Sequence, residues 1–469
     1  MDTAPKNNEV PGQLLKSREI RWQYKKAMIN QGFHLISLQL NIPGFPKKSD
    51  TFTAFLKSVK ARFELFLQSH VIALQWEEQF FEDEAGECII YKVSEKRIGA
   101  AELKELTELF EEKHPLGRII DADVMDVEGK VISSGKHKRC FLCPDKPVQW
   151  CRKYNNHTPD EIRESMQKAI VVFLMDEQID QAATKMAGFA VSGLLHEVSL
   201  SPKPGLVSRT SSGGHTDMDF STFMSSVGVL APYYQKVGQM AGRFKSPNLD
   251  LALPEIREIG LEMEREMFQV TQGVNTHKGA IFLLEIAMFA AVRSVCKKGK
   301  FKTGIFASVI QQLSKGIVQR ELYNLKPGDE ALTHGQNCFL KYGLQGAGAR
   351  GEVEQGLPTV LHHALPELIS RLDGDELVAR DTKMKPILVP VLLKIMSVNN
   401  DTNVLYRHGK KVLEELKRKA VEALHEWDRG SDQKYLELDE WCTSNRISSG
   451  GSADLLSVTL FVYYCKKAF

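Results

Sequence analysis

Residues 114–124, HPLGRIIDADV, place Asp121 and Asp123 two positions apart in a strand-like stretch. Period-two geometry puts both carboxylates on one face, where they can share a divalent cation. Arg118 stands three positions earlier and would join that face only through a bulge. Solvated acids on a polar edge strand are the competing account of the same spacing. Shortly after comes KRCFLCPDKPVQWCRKYNNH, in which Cys140, Cys143, Cys151 and His157 have the form C-x2-C-x7-C-x5-H. Three cysteines and a histidine make an accepted structural Zn²⁺ set. The seven-residue gap is unlike a standard finger, so metal and unliganded thiols both stand as readings. Lys136, Lys138, Arg139, Lys146, Arg152 and Lys153 surround the cluster with only Asp145 opposing. Such a loop suits an anionic ligand or an acidic protein partner, or is merely solvated.

Five glycine-bearing segments in the second part of the chain offer another chemistry. HEVSLSPKPGLVSRTSSGGHTDMDF (196–220) sets Lys203 between two prolines and follows it with Arg209, His215, Asp217 and Asp219. TQGVNTHKGAIF puts Asn275, His277 and Lys278 ahead of a helix expected from about Gly279. A helix N-terminus with a lysine is a natural seat for polyphosphate. GLQGAGARGEVEQGLP surrounds Arg350 and Glu352 with glycines, and NNDTNVLYRHG offers Asp401, Asn403 and Arg407. ISSGGSADLL sets Gly450 and Gly451 before a helix expected to open at Ser452, with Asp454 in its first turn. None is a Walker loop or a Rossmann fingerprint. Ordinary caps would explain each loop alone; one anionic site explains the set.

The elements that must position these residues change character near residue 175. Before it, helical patterns (Ser17–Gln31, Thr51–Ser69, Ala100–Lys113) alternate with strand patterns (Phe33–Ile42, Val71–Phe80, Glu87–Val93 and stretches flanking Glu128-Gly129). That predicts an α/β or α+β domain over 1–175, with a helix over Thr158–Met175 closing it or leading onward. After it, periodicity predicts an all-α domain of about ten helices over 176–469. These run Ile179–His196, Ser221–Ala241, Pro254–Thr271, Ala280–Cys296, Thr303–Asn324, Asp329–Tyr342, Thr359–Arg371, Pro386–Val398, Lys410–Trp427 and Ala453–Cys465. Glycine is concentrated in this second part, between helices. At ~150 residues per domain, 469 residues allow two or three domains. Near-balance of 61 Lys+Arg and 59 Asp+Glu argues against a nucleic-acid coat. The longest apolar run, Ile286–Val292, fits a buried helix and no membrane span is expected. Eight cysteines in so long a chain, and no signal-peptide pattern, lead to an expectation of reduced thiols in a cytoplasm.

Two resemblances follow from these strings. HPLGRIIDADV, EGKVIS, RCFLC and the later Cys151-Arg152 with His157 resemble the apo-citrate lyase phosphoribosyl-dephospho-CoA transferase family, as does SREIRWQYKKAMINQGFHLISLQLNIPGFPKKSD upstream. LSPKPGLV, GVNTHKG, GARGE, DTNV and GGSADLL resemble, in order, the triphosphoribosyl-dephospho-CoA synthases. The resemblance implies a bifunctional fusion. Its second domain would join ATP to 3′-dephospho-CoA with loss of adenine. Its first would transfer the phosphoribosyl-dephospho-CoA group to a serine of the citrate lyase acyl carrier protein (the gamma subunit), releasing pyrophosphate. The implied roles put Mg²⁺ on Asp121 and Asp123 and a phosphate on Arg118. In the second domain Lys203, Arg209, Lys278 and Arg350 would bind phosphates, with Gly450 and Gly451 close to the nucleotide. Glu264, Asp401 and Asp454 would serve metal or acid/base work, Asp217 would be a further metal or base candidate, and Asn275, His277 and Asn403 would orient substrate. The chain departs from the families at Ser134 and Ser208, which stand where Arg and Asp are frequent. Two alternatives stay open: a first domain serving another carrier, as in malonate decarboxylase, or a non-catalytic scaffold recruiting the carrier.

Overall fold

The computed structural model describes residues 10–71, 76–94, 96, 98–133, 139–143, 145–326, 332–377 and 380–469. Ser134, Lys136 and Lys138 lie outside the described residues, as does the start of the helix expected from Asp329. The chain divides into two compact units, Met1–Met175 and Asp176–Phe469.

The first unit contains α1 (Val10–Ile29), β1 (Phe33–Leu40), α2 (Asp50–His70), β2 (Trp76–Asp83), β3 (Gly86–Ser94), α3 (Ala100–Lys113), β4 (Ile120–Met125), β5 (Val131–Ile132) and α4 (Val148–Lys153). The first part of α5 (Pro159–Ser199) also belongs to it. Its strands form one sheet in the order β2-β3-β1-β4-β5, and every pairing is antiparallel. The unit is therefore α+β, which decides between the two expected classes. Alternation along the strands divides the sheet into two faces. Ile36, Leu38, Ile89, Tyr91, Val93, Ile120, Ala122 and Val124 pack with Phe52, Phe55, Val59 and Phe63 of α2 and Leu103 and Phe110 of α3. Burial of each such side chain contributes about 1.5–3 kcal/mol. The opposite face carries Leu35, Cys88, Ile90 and Met125, covered by Tyr24 and Met28 of α1. A bidentate pair from Arg21 to Asp83, at 2.9 and 2.7 Å, ties α1 to the end of β2. Because Asp121 and Asp123 share parity with Met125, they emerge on this second face.

The second unit contains, among its described residues, helices and no strand. They are α6 (Phe220–Arg243), α7 (Leu253–Val270), α8 (Lys278–Lys298), α9 (Thr303–Leu313), α10 (Ile317–Leu322), α11 (His334–Tyr342), α12 (Gly348–Glu354), α13 (Leu365–Leu372), α14 (Asp381–Val398), α15 (Thr402–His408), α16 (Lys410–Trp427), α17 (Gln433–Ser444) and α18 (Gly450–Ala468). The apolar helix α8 is the axis of the unit, with α6, α7, α9 and α18 packed around it. It alone among the described helices is long and apolar enough to cross a membrane, and most of its apolar stretch is buried by its neighbours.

Several boundaries differ from expectation for local reasons. The helix expected over Thr303–Asn324 is two, α9 and α10, because Gly316 takes φ +71° between them. The expected Thr359–Arg371 helix begins as a π-helical turn, Thr359–Ala364, before α13. The patterns over Thr158–Met175 and Ile179–His196 run together in α5. The strand expected from Val71 begins at Trp76, and 72–75 lie outside the described residues. Helices α12 and α15 occupy stretches with too little apolar periodicity to announce them, whereas α17 carries Tyr435, Leu438 and Cys442 at helical spacing and was missed.

Candidate active sites and a cysteine–histidine cluster

In the first unit Asp121 pairs across the sheet with Gln39, and Asp123 with Ser37. Gln39 Nε2 donates to Asp121 Oδ2 at 3.2 Å. Both carboxylates are half-buried. Lys25 of α1 faces them: burial pushes its ammonium down, while Cys88, Asp123 and Asp121 push it up. Sequence reading missed Lys25, although its placement one turn from Arg21 on the sheet-facing side of α1 was a usable signal. Arg118 reaches the neighbourhood from a 3₁₀ turn, Gly117–Ile119, that precedes β4; no bulge is involved. Burial lowers its guanidinium, and Cys140 and Asp121 both act on it in the opposite direction. Its Nε donates to the carbonyl of Arg139. Gly117 is required there, because a Cβ would lie 1.6 Å from the Glu111 carbonyl oxygen. Glu111 Oε1 accepts from the Ala122 amide at 2.8 Å, so α3 also fixes β4 between the two aspartates.

Cys140, Cys143, Cys151 and His157 come together, with all four ligand atoms within 4.8 Å of one another. Cys143 Sγ and His157 Nε2 are 3.0 Å apart. Burial raises the Cys140 thiol, but hydrogen bonds from the Cys143 and Leu142 amides and from the Cys151 and Cys143 thiols together hold the group below its ordinary value. Cys151 is pushed up to about 11 by burial and by its bond to Cys140.

In the helical unit the glycine-bearing segments converge on the N-terminus of α8. Lys203 is 2% exposed and ion-paired with Glu197, which is 3% exposed. Its Nζ also donates to the Glu197 carbonyl at 3.0 Å. Burial pushes the Lys203 ammonium down, against the charges of Glu197 and Asp454. Asp454 lies well above the ordinary carboxyl range through burial, then through the neighbouring Glu197 and Asp401; the Ala280 amide of α8 opposes this. The match is close, since a Cβ on Gly279 would sit 2.1 Å from Asp454 Oδ2. His277, 2% exposed, is pushed down to about 3 by burial and then by Lys203. Its Nδ1 is 2.7 Å from Ser226 Oγ, and its Nε2 is buried with no hydrogen-bond partner. Lys278 pairs with Glu264 at 2.7 Å on the open side. Asn275 Oδ1 accepts from the Lys278 amide at 3.2 Å, finishing the helix start. Arg350 Nε pairs with Glu321 at 2.7 Å, and Arg257 pairs with the same carboxylate.

Asp401 is an anchor. Its Oδ1 accepts from the Asn403 amide at 3.0 Å at the start of α15, and its Oδ2 accepts from the Ser452 amide at 2.9 Å and Ser452 Oγ at 3.1 Å in α18. One buried carboxyl thus fastens two helix N-termini. Gly450 and Gly451 permit the approach: Cβ atoms there would lie 2.5 Å from Asn403 Nδ2 and 3.2 Å from Asp401 Oδ2. Helix α18 opens at Gly450, so Ser452 is not its cap and Asp454 lies beyond the first acidic-favoured turn. Arg209 and Asp217 lie in an exposed loop. Asp217 is 3.8 Å from His215, whose Nε2 is 2.9 Å from Ser448 Oγ. Ser208 is buried in that loop's turn, its amide donating to the Ser211 carbonyl at 2.8 Å.

Two residues of the helical candidate site were missed. Glu285, 2% exposed, sits against Gly260 of α7, is raised well above its ordinary range by burial, and has an unpartnered Oε2. A single acid in the apolar run AIFLLEIAMFAAV was its signal. Glu197 lay six positions before Lys203, inside a segment already singled out.

The two units match two different family models. Residues 11–172 match apo-citrate lyase phosphoribosyl-dephospho-CoA transferase, and residues 183–469 match ATP:dephospho-CoA triphosphoribosyl transferase. Over nearly the whole length the chain is similar to "Protein CitXG" of Leuconostoc mesenteroides subsp. cremoris, 30% identical with 96% of both chains covered. The Haemophilus influenzae protein of the same name is 31% identical, covering 96% of this chain and 94% of its own. The second unit alone resembles the 2-(5''-triphosphoribosyl)-3'-dephosphocoenzyme-A synthase of Klebsiella pneumoniae, 34% identical over 60% of this chain and 91% of the relative. The chain therefore belongs to the family of CitXG fusion proteins, transferases that carry an apo-citrate lyase phosphoribosyl-dephospho-CoA transferase unit and an ATP:dephospho-CoA triphosphoribosyl transferase unit in one polypeptide.

Proposed function

We propose that the helical unit joins ATP to 3′-dephospho-CoA with release of adenine, and that the sheet unit transfers the phosphoribosyl-dephospho-CoA group to a serine of the citrate lyase acyl carrier protein with release of pyrophosphate. The observation that carries the first half is the gathering of Lys203, His277, Glu285 and Asp454 behind the more open Lys278, Glu264 and Arg350. A triphosphate needs cations at the rim, and substitution at the ribose C1 needs carboxyl groups near a developing oxocarbenium ion. Lys278 and Arg350 bind phosphate oxygens in this reading, exchanging the carboxylates that hold them now. Glu264 stands nearest the open side to stabilise positive charge at C1 or accept the 2′-hydroxyl proton. Asp454, kept protonated by burial, is the group suited to donate to departing adenine. Asp401 and Asn403 position the α15 and α18 starts, and Asn275 and His277 position the α8 start.

In the sheet unit Asp121 and Asp123 project side by side beside Gln39, and Arg118 and Lys25 supply positive charge for phosphates. Mg²⁺ fits these oxygen donors, as it fits Glu264, and when bound it neutralises the leaving pyrophosphate or the retained triphosphate. Asp217, 62% exposed at its side chain, is less enclosed than these donors and takes no metal in this reading.

Incubation of the full chain with ATP, Mg²⁺ and 3′-dephospho-CoA should release adenine, and the product should add the phosphoribosyl-dephospho-CoA mass to a serine of the citrate lyase carrier. Adenine release without carrier labelling would remove the second half of the reading, and labelling of a malonate decarboxylase carrier instead would reassign the partner. Absence of both adenine release and carrier labelling would remove both halves.

A further inference from the structure

We propose that Cys140, Cys143, Cys151 and His157 bind one Zn²⁺ ion, and that this ion fixes the backbone on which Arg118 is held beside Asp121. A tetrahedral ion with Zn–S bonds of ~2.3 Å sets its ligand atoms roughly 3.7 Å apart. The four atoms here all lie within 4.8 Å of one another, with Cys143 Sγ and His157 Nε2 at 3.0 Å, so small side-chain rotations reach that geometry. Three soft sulfurs and one imidazole select zinc over the hard cations that suit the aspartate pair. Four protein ligands leave no open position, which makes the site structural.

The surrounding backbone is formed as a holder. The Cys140 amide donates to the Lys146 carbonyl at 2.9 Å, and the Lys146 amide donates to the Cys143 carbonyl at 3.0 Å. Arg139 and Pro147 form an antiparallel bridge that closes the turn behind both cysteines. Helix α4 then brings Cys151 inward, and Asn155, at φ +47°, reverses the chain so that His157 returns to the cluster. Beyond Phe141, which packs against the sheet core, this stretch has little apolar support: Trp150 and Tyr154 are exposed, and a helix as short as α4 does not hold itself in water. Binding zinc displaces the three thiol protons, and the binding free energy becomes folding free energy for the loop.

The consequence for the sheet unit runs through one bond. Arg139 immediately precedes Cys140, and its carbonyl accepts from Arg118 Nε. The ion would therefore act through Arg118 as a positioning element, away from the reacting atoms.

Metal analysis of the untagged full chain, purified without chelator, should find about one zinc per chain. Cobalt exchanged into the site should show a thiolate-to-metal charge-transfer band. Cys140→Ser and Cys151→Ser should lose both, while His157→Cys, which makes a four-sulfur set, should keep the metal. Zinc removal should lower carrier labelling at least tenfold and leave adenine release unchanged, which also reports that the helical unit stays folded. A chain that contains no zinc and takes up no cobalt overturns the site. Metal retained in both serine variants overturns it equally. Carrier labelling unaffected by zinc removal overturns the positioning role.

Discussion

Asp121 and Asp123 differ from the acids of the helical unit in what surrounds them. They are half-buried on a sheet face beside Gln39 and Lys25, whereas Glu285 and Asp454 are enclosed and driven above their ordinary range. The pair is therefore suited to a cation, and the buried acids to holding protons. Asp121→Asn or Asp123→Asn should reduce carrier labelling at least tenfold with adenine release intact, measured on the same preparation. Unchanged labelling would favour a unit that only recruits the carrier. His277 makes a prediction of another kind. Its ordinary value of 6.5 falls to about 3 in the folded chain, so between those values the unfolded chain binds the extra proton. Its contribution to stability is present above pH 6.5 and drains away as pH falls toward 3. At pH 5 the loss is about 2 kcal/mol relative to neutral pH. Urea unfolding at pH 7.5 and 5 should show the wild type losing about that much more than His277→Asn. Raised carboxyls such as Asp454 act in the opposite direction in both proteins and cancel in the comparison; equal losses would show that the ring is protonated in the fold. Most of these residues were legible in the sequence as charged or polar types in the segments that stood out. Glu285 and Lys25 were not, since a helix sequence does not say which neighbour its inner face will meet.

Glycines decide how closely the helices of the second unit approach. Gly279, in the first turn of α8, faces Asp454, and a methyl group there would lie 2.1 Å from a buried carboxyl oxygen. Gly228, exposed in the middle of α6, faces nothing within 4 Å. The two should therefore respond oppositely to the same substitution. Gly228→Ala should raise stability by about 0.8–1 kcal/mol through helix propensity alone. Gly279→Ala should lower the thermal midpoint and cut adenine release at least tenfold, because either α8 or Asp454 must move. A Gly279→Ala protein with unchanged release would mean that Asp454 is not held where the reaction needs it. The long amphipathic helices were visible at this scale, and α3 was expected to the residue at both ends. Helix α15 was not visible. It exists because Asp401 caps it and joins it to α18, and that bond links positions 51 residues apart. The antiparallel strand order was likewise beyond reach, since alternation gives a strand its faces but not its neighbours.

At the scale of the whole chain, the groups gathered in each candidate site come from a single unit. The core of the sheet unit draws on residues from Leu35 to Ile170, and that of the helical unit on residues from Met186 to Cys465. The buried groups at the α8 start come from α5 (Glu197), the loop that follows it (Lys203), α8 and α18, all in the second unit. The aspartate pair, Arg118 and the cysteine cluster all lie in the first. A lesion in one site should therefore leave the other reaction intact. Lys278→Gln removes a half-exposed cation whose present partner, Glu264, remains near solvent, so it should cost adenine release on the order of a hundredfold without unfolding the unit. Asp121→Asn should remove carrier labelling alone. Neither variant should then modify the carrier from ATP and 3′-dephospho-CoA by itself, while an equimolar mixture should do so, the intermediate made by one protein being used by the other. Its triphosphate and coenzyme portions are highly charged and water-soluble, so release into solvent carries no hydrophobic penalty. Restoration should fall as the mixture is diluted, because the second reaction then depends on the free concentration of the intermediate. A mixture that stays inactive, with each single reaction present in its own assay, would show that the intermediate does not pass between chains.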